Sequence, residues 1–75
     1  MSAFEKLSSI LVEQFGISKE SISTTTPIEE LGLDSLEIMD LVVILEDEFG
    51  VSIDDNQIYA SNQLGELVNF IERGE

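Results

Sequence analysis

Apolar residues at Phe4, Leu7, Leu11 and Phe15 recur three or four positions apart, the spacing of one face of an α-helix. Ser2 and Glu5 have the separation of a capping box and Gly16 closes the run, so a first amphipathic helix is predicted between them. From Ile17 to Asp34 the period lapses. That stretch is rich in Ser and Thr, contains Pro27, and is long for a connection inside a small domain. Its apolar residues Ile17, Ile22, Ile28, Leu31 and Leu33 are spaced to pin it onto a core, which predicts a packed loop rather than a disordered linker. Within it, Thr26, Pro27 and Glu29 have the pattern that caps a single helical turn, stopped by Gly32.

The helical period returns at Asp34 or Ser35, with Glu37 placed to complete a cap, and continues to Phe49 before Gly50. At about 100° per residue, Ile38, Leu41, Val42, Leu45 and Phe49 fall on one side of this second helix and suffice to face a core. Leu36, Met39 and Val43 form a second stripe, bordered by Asp40 and Asp47 on one flank and by Glu46 on the other. Two readings fit the stripe. It is either a docking line, where carboxylates steer a basic partner and apolar contacts hold it, or a wider core face of a helix packed between two neighbours. Ile44 projects among Glu37, Asp40, Asp47 and Glu48 on the most acidic side, and the pattern accounts for it only through a covering loop or a partner contact.

Val51 to Ile53 is too short for an independent strand, while Asp54 or Asp55 can cap a short helix through about Ala60. Ser61 or Asn62 then opens a last helix, whose Leu64, Leu67, Val68 and Ile71 share one face before Gly74. The pattern as a whole predicts an all-α fold. It is a small four-helix bundle with a long loop between helices 1 and 2 and a short third helix, with residues 1–75 forming one domain.

Composition narrows what such a bundle does. Its 75 residues include no cysteine and no histidine, which removes disulfides, thiol nucleophiles, imidazole acid–base chemistry and nearly every transition-metal site. An enzyme is therefore not expected, nor a metal site. Sixteen Asp and Glu against Lys6, Lys19 and Arg73 give a net charge of −13, which repels phosphate backbones and anionic lipid heads. Neither nucleic acid nor membrane insertion is expected. The first residues lack a secretory signal, and there is no uninterrupted apolar run of about 18 residues, so the expectation is a cytoplasmic monomer. With 43% hydrophobic residues in periodic order the chain folds rather than remaining disordered, and its charge reads either as a binding surface or as a device for solubility alone.

The segment Leu31-Gly32-Leu33-Asp34-Ser35-Leu36 places a serine hydroxyl where a loop becomes a helix. A modification there is accessible, and the free N–H groups and positive dipole end of a helix N-terminus tolerate an attached phosphate. The plainer reading of Asp-Ser is an N-cap serine. A hydrolase with Ser35 as nucleophile fails because no histidine is present to take the proton and the surroundings are not G-x-S-x-G. A calcium module suggested by Asp54, Asp55 and Asn56 fails because the glycine and the later glutamate of an EF-hand loop are missing.

The Asp34-Ser35-Leu36 triplet, preceded by Gly32, followed by an acidic helix and set after a long loop in a chain of this length, resembles the acyl carrier protein family, whose hallmark is Asp-Ser-Leu at the start of the second of four helices. The resemblance runs along the whole chain. It implies that Ser35 receives 4′-phosphopantetheine covalently from coenzyme A through a phosphopantetheinyl transferase, with Asp34 and Leu36 completing the motif. Acyl intermediates would then travel as thioesters on that arm to the enzymes of fatty-acid synthesis or a related pathway. Glu46-Asp47-Glu48-Phe49-Gly50 resembles the end of the family's recognition helix. By position Glu37, Asp40, Glu46 and Asp47, with Met39 and Val43 of the apolar stripe, would meet basic docking patches on acyl-transferring and chain-elongating enzymes.

Acyl chains in the family can fold back into the bundle, which makes Ile38, Leu41, Leu45, Phe49, Ile53 and Leu64 candidates to line a cavity, or simply core. The chain departs from fatty-acid carriers at Ala60 to Leu64, where an Ile- and Thr-rich turn is common, and at Tyr59 and Ile44. Those differences bear on pathway, not on attachment. A dedicated carrier for a polyketide, specialised lipid or aminoacyl route is the alternative within the class; outside it stands an acidic interaction domain that is never modified.

Overall fold

In the computed structural model, which describes residues 2–54, 56, 58 and 61–73, the first helix, α1, spans Ala3–Phe15. The expected capping box forms. The Glu5 amide donates to Ser2 Oγ at 3.1 Å and the Ser2 amide donates to Glu5 Oε1 at 3.0 Å, so two otherwise orphaned N–H groups satisfy each other's side chains. Leu7, Ile10 and Leu11 are buried along its inner face.

The long connection is a packed loop, as its apolar residues require. Two short 3-10 turns, Lys19–Ser21 and Ile28–Leu31, punctuate it. Ile28 is buried, and Ile17, Ile22, Leu31 and Leu33 pack half-buried against the core. The second turn ends at Gly32 as expected, but its cap is not Thr26. Pro27 occupies the cap position without a side-chain bond, because the Thr26 hydroxyl is committed elsewhere: it donates to the Ser21 carbonyl at 2.9 Å and accepts from the Ser23 amide at 2.9 Å.

Helix α2 spans Ser35–Phe49 and helix α3 spans Leu64–Arg73, which lies against α1. Leu64, Leu67, Val68 and Ile71 of α3 are buried on the face the sequence indicates. Its start is different. Ser61 or Asn62 was expected to open this helix, yet the first amides are taken by the long loop: Leu64 N–H donates to the Thr26 carbonyl at 3.0 Å and Gly65 N–H to the Thr24 carbonyl at 2.8 Å. A single antiparallel bridge joins Pro27 to Gln63 in the same place. Carbonyls about forty positions upstream thus satisfy the first two amides of α3, while the Asn62 amide donates to Glu66 Oε1 at 3.4 Å.

Three α-helices and two 3-10 turns have both ends among the described residues, which does not confirm the four-helix count. The expected short third helix falls mostly on residues outside the description, Asp55 and Ala60 included, as do Tyr59 and Gly74. Within that span Asn56 and Ile58 are helical, and the Asn56 amide donates to Asp54 Oδ1 at 3.0 Å, the bond a capping aspartate makes.

The core gathers Leu7 and Leu11 of α1, Ile38, Leu41 and Leu45 of α2, Ile53, Ile58, and the α3 face. No polar or charged side chain among the described residues is buried with them. Each such aliphatic side chain contributes about 1.5–3 kcal/mol on burial, and that apolar interior holds the helices while leaving charge on the surface.

Candidate attachment site at the start of the second helix

Gly32 adopts a left-handed backbone, φ 73°, a conformation that costs a side-chain-bearing residue roughly 1 kcal/mol or more. It turns the chain so that Leu33 packs half-buried on the core while Asp34 and Ser35 emerge exposed. Asp34 is the N-cap. Its Oδ1 accepts from the Glu37 amide at 2.8 Å, its own amide donates to Glu37 Oε1 at 3.1 Å, and its carbonyl accepts from Ile38 N–H at 2.9 Å. Ser35 is therefore the first residue inside α2 and not its cap, so the plain N-cap reading of this serine does not hold. Its hydroxyl is exposed and has no hydrogen-bond partner among the described residues.

Beyond Ser35 the exposed side of α2 carries Leu36, 71% accessible, Met39, 56%, and Val43, 64%. These are not a wider core face. Ile38, Leu41 and Leu45 do face the core, with Val42 and Phe49 half-buried beside them. The four acids proposed to steer partners divide into two kinds. Asp40 and Asp47 are exposed and make no bond among the described residues. Glu37 serves the cap, and Glu46 Oε2 accepts from the Ile53 amide at 2.8 Å, part-buried, so these two carboxylates also hold backbone in place. At the far end of α2, Lys6 Nζ donates to the Glu48 carbonyl at 2.9 Å, lies 3.6 Å from Glu48 Oε2 and sits 5.1 Å above the Phe49 ring. A cation there complements the negative end of the helix dipole.

A comparison with protein-family models matches residues 5–71 to the phosphopantetheine attachment site family. The chain is 37% identical over 71 residues to a protein named acyl carrier protein from Thermotoga maritima, covering 93% of this chain and 88% of that one. The crystal structure of acyl carrier protein from the same organism superposes with a TM-score of 0.76 at 30% identity, covering 93% of this chain and 82% of the other. The chain belongs to the acyl carrier protein family. It is a carrier and not a catalyst, its prosthetic group is 4′-phosphopantetheine, and its partners include a phosphopantetheinyl transferase and acyl-handling enzymes.

Two features of this acyl carrier escaped the sequence pattern. A cavity of about 430 Å³ is lined by apolar residues, Pro27, Ile28, Leu33, Ile38 and Ile58, and by polar ones, Glu29, Ser61, Asn62 and Gln63. Of the six cavity candidates only Ile38 lines it, while Leu41, Leu45, Ile53 and Leu64 are buried in the core and Phe49 is half-buried near Lys6. The lining comes from the loop and from the segment before α3, which linear periodicity cannot bring to α2. Ile44 is also resolved physically. It is half-buried and packs against the core, and the end of α1, at Gln14 and Phe15, shares a cleft with it.

Proposed function

We propose that Ser35 bears the phosphopantetheine arm and that the chain presents acyl groups to enzymes of fatty-acid synthesis, working as a monomer in the cytoplasm where coenzyme A is the donor. The observation that carries this reading is the division of labour between neighbours. Asp34 takes the capping role, and Ser35 is left exposed with its hydroxyl unbonded among the described residues.

The residues present fit the group. Ser35 Oγ would bond to the pantetheine-bearing phosphorus of coenzyme A as the pyrophosphate P–O bond breaks, adenosine 3′,5′-bisphosphate would leave, and the hydroxyl proton would pass to a base on the transferase, since this chain has no histidine to accept it. The arm would supply the terminal thiol on which acyl groups are held as thioesters. Its phosphate would be attached in the first turn of α2, where the helix dipole favours negative charge. Leu33 and Ile38, which flank Ser35 in the sequence, both line the cavity between the loop and α2, and we infer that acyl chains shelter there, helped by an interior of Ile, Leu and Val that can part at modest cost. Leu36, Met39 and Val43 supply the apolar docking line, with Asp40 and Asp47 as its free steering charges.

Incubation with coenzyme A and a broad-specificity transferase tests the attachment. Intact mass rises by one phosphopantetheine for the native sequence and stays fixed for Ser35→Ala; an unmodified native protein would point to an acidic interaction domain instead. Mass analysis of the loaded protein from its own cell reads the pathway, a fatty acyl group supporting the proposal and a polyketide, specialised lipid or aminoacyl group replacing it. Charge reversal at Asp40 and Asp47 is expected to raise the transferase KM and flatten its salt dependence, and unchanged kinetics would remove the steering role.

A further inference from the structure

The cavity at Leu33 and Ile38 has two chemically different sides. Ile28, Ile38 and Ile58 are buried and give it an apolar floor, whereas Glu29, Asn62 and Gln63 are exposed and give it a polar rim. The side-chain amides of Asn62 and Gln63 make no hydrogen bond among the described residues. We propose that this cavity selects acyl groups carrying a neutral hydrogen-bonding function along the chain, a hydroxyl, keto or amide group, over plain saturated chains of the same length. This specificity rests on the reading of Ser35 as the attachment point and of the cavity as the shelter for its acyl group.

Backbone, not side chain, holds the rim in place. The Asn62 carbonyl accepts from the Ile28 amide at 3.2 Å, the Leu64 amide donates to the Thr26 carbonyl at 3.0 Å, and the Pro27–Gln63 bridge lies between them. The main chain that carries both carboxamides is thus tied to the loop that supplies Ile28 and Glu29, and their side chains are left for a ligand. Groups mounted on a fixed backbone lose less freedom when they bind.

Chemistry then selects the occupant. The volume, about 430 Å³, falls within the range of small-molecule cavities, which begins at about 300 Å³. An alkyl chain lying on three isoleucines gains by leaving water. Where it passes on to the rim it displaces water from two carboxamides and returns no hydrogen bond, which is unfavourable. A hydroxyl, keto or amide function offsets that loss, because a carboxamide both donates and accepts. Charged acyl groups fit less well. Glu29 at the rim, in a chain of net charge −13, opposes a carboxylate, and an ammonium group pays desolvation over the apolar floor.

Three acyl arms test this. A broad-specificity transferase loads the native chain from octanoyl, 3-hydroxyoctanoyl and 8-hydroxyoctanoyl coenzyme A, and hydroxylamine then cleaves each thioester. Each rate is divided by that of the same acyl coenzyme A free in solution, so that intrinsic reactivity cancels. The expected result is that at least one hydroxylated arm is protected threefold or more beyond the octanoyl arm. That advantage should vanish in the double variant Asn62→Ala, Gln63→Ala and persist in Asn69→Ala, which removes an exposed amide outside this cavity. If both hydroxylated arms stay within threefold of octanoyl on the native chain, the proposal is overturned without any variant having to fold. An advantage that survives the double substitution overturns it as well, since the rim would then not be its source. A native chain that accepts none of the three arms overturns the carrier reading, and the specificity with it, whereas a loaded chain that does not discriminate removes the specificity alone.

Discussion

The Gly65 amide donates a 2.8 Å hydrogen bond to the Thr24 carbonyl, and a Cβ at position 65 would stand 3.0 Å from that same oxygen. The long loop and the start of α3 are therefore fitted together so closely that a methyl group at position 65 requires the Thr24 carbonyl to shift by a few tenths of an ångström. In an open helix interior, glycine to alanine gains about 1 kcal/mol. Here the oxygen is held by the bond it accepts and cannot retreat without lengthening it, so Gly65→Ala is expected to destabilise the protein by about 1–2 kcal/mol. Urea unfolding of the two proteins measures the sign, and a more stable variant would show that the loop yields.

Asp34 and Ser35 make opposite contributions although they are adjacent. Removing the Asp34 side chain leaves the Glu37 amide without its acceptor, and Asp34→Ala should cost about 1 kcal/mol. Ser35→Ala removes a hydroxyl with no described partner, and its stability should stay within about 0.5 kcal/mol of the native protein. Thermal melts of the unmodified proteins compare the two directly. Equal losses would mean that the Ser35 hydroxyl has a structural task after all.

The first helix carries a pH-dependent cap. The Ser2 backbone N–H bonded to Glu5, with help from the Ser2 hydroxyl, holds the Glu5 carboxyl below its ordinary value of 4.5. A lowered folded-state pKa means that the contribution is complete above the ordinary value and is lost as pH falls through the lower one. The difference in melting temperature between the native protein and Glu5→Ala should accordingly hold steady at neutral pH and shrink on acidification through that window. A gap independent of pH would assign the effect of Glu5 to helix propensity alone.

Sixteen acids and three bases in 75 residues set up self-repulsion that folding concentrates. Adding sodium chloride or magnesium should raise the melting temperature, with magnesium acting at lower concentration because a divalent ion screens more strongly. A melting temperature indifferent to both would show that the surface charges are already well separated.

Much of this protein follows from local rules. Ser2 and Glu5, and Asp34 and Glu37, are capping partners three residues apart, so both helix starts could be read from spacing. The buried faces of α2 and α3 follow from the helical period, and the loop's isoleucines and leucines foretell its attachment to the core. The Asp34-Ser35-Leu36 motif marks the candidate site in the sequence itself. Position in the chain left two questions open that geometry closed: whether Ser35 caps the helix or stands free, and whether Leu36, Met39 and Val43 face inward.

What the tertiary structure alone decided depends on residues far apart in sequence. The amides of Leu64 and Gly65 are capped by Thr26 and Thr24, Ile44 shares a cleft with the end of α1, and the cavity at Leu33 and Ile38 draws its lining from the loop, from α2 and from the approach to α3. Periodicity reports which side of a helix is apolar, because that is fixed by 3.6 residues per turn. It cannot report which neighbour covers that side, because packing partners are chosen by the whole chain at once.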